Sequence, residues 1–192
     1  VMARVREQFA RGARVWPQVQ TRPIDISFCF DMPSLFFAGN PSWFNFMRMP
    51  RDARAAALED PAQRARLIAA AGADGGSAWL GGLVIRLVPG DNEGIEGRTL
   101  GEVAATRGQG CAEAMIELSR EHDLKVHFLA ANRGHENAER IGPLLADPLV
   151  HIGASDGGAH ICSFSTYGDT GYLFSKFVRE TQALTLEQAV KK

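Results

Sequence analysis

Apolar residues recur at Met2, Val5 and Phe9 and the run stops at Gly12, the spacing and the glycine stop of an amphipathic helix. Val15, Pro17 and Val19 then alternate with Arg14, Trp16 and Gln18. This predicts a strand over 13–19 that Pro17 weakens, because proline cannot donate to a sheet ladder. From about 24 to 148 the pattern reads as a patchwork of short helices and loops. Asn40-Pro41 and Asp60-Pro61 each place a capping side chain before a proline at the first helical position, predicting helices over 41–48 and 61–71. Between them "PRDARAAALED" is alanine-rich and helical by propensity. "GADGGSAWLGG" (72–82) reads as a surface loop rather than a phosphate loop, since it lacks GxxxxGK[ST]; "LVIRLV" (83–88) is an apolar run of strand length.

Thr99 and Glu102 have capping-box spacing and open a helix ending near Gly108. Ala112, Met115, Ile116 and Ser119 then repeat at helical spacing over 111–123, and "LKVHFLAAN" follows as a strand. A helix over 135–146 turns Ile141, Leu144 and Leu145 inward, with Gly142-Pro143 bending or ending it. In "LVHIGASDGGAH" (149–160), Val150, Ile152 and Ala154 share one face of a strand, with His151, Gly153 and Ser155 on the other. "GYLFSKFVRE" (171–180) closes with Leu173, Phe174, Phe177 and Val178 on one helical face, and Thr185 with Gln188 forms a second capping box. Strands alternating with helices indicate an α/β fold built on a parallel sheet.

The bulk composition narrows the function classes. A chain of 192 residues fits one domain, and 45% hydrophobic and 22% charged residues are ordinary for a globular protein. A formal charge of −1 gives no reason to expect nucleic acid or an anionic membrane as partner. Cys29, Cys111 and Cys162 include no CxxC pair, which argues against a disulfide framework or a cysteine-rich zinc site. No apolar stretch reaches the roughly 18 residues of a membrane span, and no signal peptide opens the chain; a cytoplasmic location is the expectation. The opening inside a helical pattern at Val1, without methionine, and a closing helix of about two turns, too short to be stable alone, read as a segment of a larger protein.

The chemistry concentrates after the strand that begins "LVHIG". Asp156 falls where that strand should stop, and functional groups gather at the carboxyl ends of parallel strands. Asp-Gly is equally a common turn pair. Gly153 to Gly157 also satisfies GxSxG, which would make Ser155 the nucleophile of a serine hydrolase. The elbow needs a helix directly after the serine and a histidine after a downstream aspartate such as Asp169, yet glycines follow and His160 is the last histidine. Arg22 in "QTRP" suits a bidentate grip on a substrate carboxylate, or an ordinary surface role. His122, His127, His135 and His151 show no metal-ligand spacing.

The stretch "HIGASDGGAH…STYGDTGYLFSKFVRETQALTLEQAVKK" resembles the last barrel segment of the N-acyl-D-amino-acid deacylase group of the metal-dependent amidohydrolases. "GARVWPQVQTRP", "EDPAQRARL" and "GRTLGEVAATRG" resemble family stretches before and within a long insertion preceding the last strand. The resemblance spans nearly the whole chain. It implies a partial (β/α)8 barrel of TIM type over 1–192, holding the C-terminal strands and helices, with a mainly helical insertion over 24–148. It implies one or two divalent metals, usually zinc, most of whose histidine ligands lie on strands before Val1. It maps the family's last-strand aspartate, which approaches the metal and acts as general base, onto Asp156.

A bound metal lowers the pKa of its water towards about 7, and a carboxylate beside it takes the proton as hydroxide attacks the amide carbon, then protonates the leaving amine. His160 matches the motif histidine, as a substrate contact or a support for Asp156; Tyr167 matches a position in the following loop, near substrate. The expectation is hydrolysis of a small-molecule N-acyl amino acid or related amide. The isolated segment would be inactive for want of ligands. A serine hydrolase using Ser155 and a non-catalytic barrel scaffold are the alternatives.

Overall fold

A computed structural model describes residues 1–34, 37–72, 77–91, 94–134, 137–153, 164–165 and 168–192. In chain order the elements begin with α1 (Met2–Ala10), β1 (Gln18–Val19), β2 (Ile24–Phe28), α2 (Pro41–Arg48), α3 (Arg51–Glu59), α4 (Pro61–Gly72) and α5 (Ser77–Leu80). Then come β3 (Val84–Leu87), α6 (Leu100–Arg107), α7 (Cys111–Glu121), β4 (His127–Arg133), α8 (Ala138–Ala146), β5 (His151–Ile152) and β6 (Phe164–Ser165). The chain closes with α9 (Asp169–Tyr172), a π-helical segment over Leu173–Glu180, and α10 (Leu186–Lys191). The fold is mixed α/β, and the described strands form small sheets rather than a closed barrel. No helix among the described residues is long and apolar enough to cross a membrane.

Side-chain caps set the helix starts. Asn40 Oδ1 accepts from Trp43 N at 3.2 Å and Asp60 Oδ1 from Ala62 N at 2.8 Å, each satisfying a backbone donor that a helix start leaves without a partner. Both capping boxes form reciprocally: Thr99 with Glu102 at 2.8 and 3.2 Å, and Thr185 with Gln188 at 2.8 and 3.2 Å. Helix α6 ends at Gly108 with φ +66°, a left-handed conformation that glycine adopts without strain.

The structure departs from the pattern at four places. The first strand is Gln18–Val19 alone, beginning only after Pro17. Ile24–Phe28 is a strand, not helix or loop, with Ile24, Ile26 and Phe28 alternating against Asp25 and Ser27. Ser77–Leu80 is a helical turn inside the glycine-rich stretch, with Leu80 drawn into the core. Helix α8 runs through Pro143 to Ala146; the lost hydrogen bond is tolerated where Leu145 is fully buried.

The chain divides into two compact units, Ile26–Ala131 and Val1–Asp25 with Asn132–Lys192. In the Ile26–Ala131 unit, β4 lies between β3 and β2. β3 and β4 are antiparallel, pairing Val84 with Leu129 and Ile85 with Phe128, with a register shift before Leu87 and His127. Phe30, Met47, Leu58, Met115 and Phe128 are fully buried in its core. Phe37 stacks on Trp43 with centroids 5.0 Å apart, and the indole N–H of Trp43 donates to Leu67 O at 3.0 Å.

Arg54, only 1% exposed, is buried in this unit. Its guanidinium donates to Met47 O at 2.8 Å, Met49 O at 3.0 Å and Asp31 O at 2.8 Å. Two of these carbonyls lie at the end of α2, where a helix leaves acceptors unsatisfied. Burial pushes the Arg54 pKa below its ordinary value, against the attraction of Asp31. Arg51, three residues earlier, bridges Asp31 at 2.6 Å and Asp123 at 2.5 Å, and Lys125 meets Asp123 at 2.6 Å. Asp123 and Leu124 both hold positive φ, +52° and +64°, which is costly for a branched side chain. Burial of the Leu124 side chain offsets that strain, as do the amides of Phe30 and Asp31, which donate to Leu124 O at 3.1 and 2.9 Å.

The other unit joins β1 to β5 in parallel and packs α8, the π-helical segment and α10 around Leu145, Leu173, Phe177, Leu184 and Ala189. Gly142 of α8 sits so close to Ala183 that a Cβ at Gly142 would lie 2.8 Å from the alanine methyl.

Two outcomes follow for the Ile26–Ala131 unit. Arg54→Leu removes the donors to three carbonyls, each costing roughly 1–3 kcal/mol if left unpaired. The expected loss in urea denaturation is therefore about 3 kcal/mol or more; a loss below about 1 kcal/mol would show that the carbonyls find other donors. Hydrogen bonds from Lys125 and Arg51 hold the Asp123 carboxyl below the ordinary 3.8. A depressed pKa contributes stability that is present above the unfolded value and lost as pH falls through the folded one. The melting-temperature gap between wild type and Asp123→Asn should thus be fully open at neutral pH and close as the pH drops below 3.8.

Candidate active site at the carboxyl ends of the parallel strands

β1 and β5 run in the same direction, Gln18 beside His151 and Val19 beside Ile152. His151 N–H donates to Pro17 O at 3.0 Å and Gly153 N–H to Val19 O at 2.8 Å. The expected alternation of faces holds from Val150 to Ile152: Val150 is fully buried and Ile152 half-buried, while His151 is exposed and rests against Trp16 with ring centroids 5.9 Å apart; Gly153, expected on the His151 face, is half-buried. The carboxyl ends of both strands therefore share one end of the unit, at Val19–Gln20 and at Gly153.

Gly153 is where this pairing is tightest. A Cβ built there would lie 3.2 Å from Val19 C and 3.4 Å from Gln20 N, so the absent side chain lets the two backbones approach. Just past β1, Thr21 is 1% exposed, and its hydroxyl donates to Asp169 O, at the start of α9, at 2.8 Å. Thr21 carried no reading in the sequence, and Gly153 was marked only as a strand position and the first glycine of GxSxG.

Ser155, Asp156, His160 and Tyr167 lie outside the described residues, as does His135. Arg22 is described and half-buried. Its guanidinium pairs with Asp25 Oδ2 at 2.9 Å and its Nε–H donates to Pro23 O at 3.3 Å. Asp25 Oδ1 in turn accepts from Asn132 N at 3.0 Å. Any substrate carboxylate at Arg22 would share the guanidinium with Asp25. His122 places Nδ1 3.1 Å from Pro89 O.

Among the described residues no three His, Cys, Asp or Glu side chains converge as metal ligands. Cys29 is buried, and burial pushes its thiol pKa up, away from the reactive thiolate. A cavity of about 390 Å³ lies at the amino end of β5, lined by Ala146, Val150, His151, Leu184, Gln188 and Lys191. It holds no carboxylate, and it opens at the opposite end of the strand from Gly153.

Gly153→Ala would set a methyl group 3.2 Å from Val19 C, so that β1 must give by a few tenths of an ångström to take it. A destabilisation of about 1–3 kcal/mol is expected for such overpacking, measured by urea denaturation; an unchanged midpoint would mean that the strands separate easily. Set against protein-family models, curated proteins and solved structures, the chain finds no match.

Proposed function

We propose that the chain is the C-terminal part of a metal-dependent amidohydrolase barrel that hydrolyses the amide bond of an N-acyl amino acid or a related small molecule, with Asp156 as general base and then general acid. The reading rests on the sequence resemblance. The observation that carries it is the parallel pairing of β1 with β5, which the chain makes after the excursion through Ile26–Ala131. A barrel strand, a long insertion and the last barrel strand would produce that arrangement. Asp156 follows Gly153 after Ala154 and Ser155, on the carboxyl side where parallel α/β folds gather their chemistry.

The described residues do not by themselves compose a metal site; in this reading Asp156 joins ligands from barrel strands that precede this part of the chain. A metal held by Asp156 and those ligands, zinc by the resemblance, would supply a water whose pKa is lowered towards about 7. Asp156, as carboxylate, accepts the proton of the attacking water and delivers it to the amine that leaves as the carbon–nitrogen bond breaks. His160 orients Asp156 or the substrate, Tyr167 stands near the substrate, and Arg22 shares its charge between Asp25 and the substrate carboxylate.

In the full-length protein, Asp156→Asn should lower the turnover of N-acyl amino acids by roughly 10²–10⁴-fold, the usual contribution of a general base. Turnover close to wild type would remove Asp156 from the reaction.

A further inference from the structure

The cavity of about 390 Å³ at the amino end of β5 has an apolar floor and a rim of hydrogen-bond donors. Val150 and Leu184 are buried in the floor, and Ala146 is half-buried beside them. The rim carries His151, Gln188, Lys191 and Lys192, and no carboxylate side chain of the described residues lines it. Lys192 donates to Asp147 O and, at 2.7 Å, to Val150 O, which holds its ammonium at the cavity. Burial pushes the Lys192 pKa below its ordinary value, against the attraction of Asp147. The Asp147 carboxylate is itself engaged by Arg6 and by Leu149 N at 3.0 Å. Gln188 Oε1 accepts from Thr185 N at 2.8 Å, so the capping box fixes the amide and leaves its N–H groups to donate. Lys191 forms no ion pair among the described residues.

We propose that this cavity is a binding site for a small organic carboxylate with an apolar tail. The tail lies on Val150, Leu184 and Ala146, and the carboxylate takes the Lys191 ammonium and the Gln188 amide. Such a division, an apolar body with a few placed polar groups, is how small-molecule pockets fix orientation. A charged donor strengthens the hydrogen bond to a carboxylate oxygen. Two of the three Lys192 protons already go to carbonyls, so Lys191 supplies the one ammonium without a counter-charge. That set suits a single negative charge rather than a phosphate dianion. The site lies at the opposite end of β5 from Gly153 and stands apart from the hydrolytic reading of Asp156.

The test titrates the full-length protein with sodium hexanoate by calorimetry at constant ionic strength. Hexan-1-ol, which has the tail without the charge, and inorganic phosphate, which has charge without the tail, are the comparisons. Hexanoate should bind saturably, and Lys191→Gln should weaken it by about 10-fold, the contribution of a hydrogen bond to a charged group. Lys191→Arg should retain binding, and Lys125→Gln, at an exposed lysine of the Ile26–Ala131 unit, should leave it unchanged. Hexanoate should also raise the melting temperature of wild type more than that of Lys191→Gln at the same concentration. Lys191 is exposed, so its replacement leaves the core intact. No saturable heat, equal affinity for hexanoate and hexan-1-ol, or equal affinity in wild type and Lys191→Gln each overturns the proposal. Displacement of hexanoate by phosphate overturns the assignment of the ligand as a carboxylate.

Discussion

Two backbone hydrogen bonds, from His151 to Pro17 and from Gly153 to Val19, join parts of the chain that are far apart in sequence. They determine which residues face each other at the carboxyl ends of β1 and β5. The pairing is short, two residues on each strand, so its stability must come from what packs beside it. That support is the cluster of Leu145, Leu173, Phe177, Leu184 and Ala189, against which Val19 and Ile152 both rest. Closing a long loop is less demanding than its length suggests, because the entropy cost grows only with the logarithm of loop size. The intervening residues lower it further by forming a core of their own.

That core illustrates what local pattern does and does not reveal. The helix starts at Asn40, Asp60, Thr99 and Thr185 were legible because each is decided by a side chain three or fewer residues from the amide it caps. Leu80, by contrast, belongs to a glycine-rich stretch that looks solvated, and only a core contributed by distant residues draws it in. Arg54 sits in an alanine-rich helix where arginine is ordinarily a surface residue. Its burial is decided by carbonyls at Asp31, Met47 and Met49, whose convergence no spacing rule foretells.

The candidate site divides in the same way. Asp156 stood out from residue type and from its place beyond an alternating run, while its partners in chemistry came from resemblance alone. Arg22 was picked out by its suitability for carboxylates, and the carboxylate it meets is that of Asp25, three residues away. Thr21 gave no signal, and Gly153 only as the first glycine of GxSxG, because what they do in the structure depends on a missing methyl group and on a hydroxyl aimed at a carbonyl 148 positions along the chain.

The two ends of the strand pair carry different kinds of contact. At the amino end Trp16 packs edge-on to Phe9 and lies against His151, Arg14 stands over Phe9, and Lys192 donates to Asp147 O and Val150 O. These contacts tie α1 and α10 to the strands. At the carboxyl end Gly153 N–H and the Thr21 hydroxyl both donate to main-chain oxygens. In parallel α/β architecture the amino-terminal face carries stability and the carboxyl-terminal face carries chemistry. The contacts at the amino end are aromatic and cationic, and the bonds from Gly153 and Thr21 at the carboxyl end run to main-chain oxygens; the proposal for Asp156 itself comes from the sequence resemblance, not from this difference.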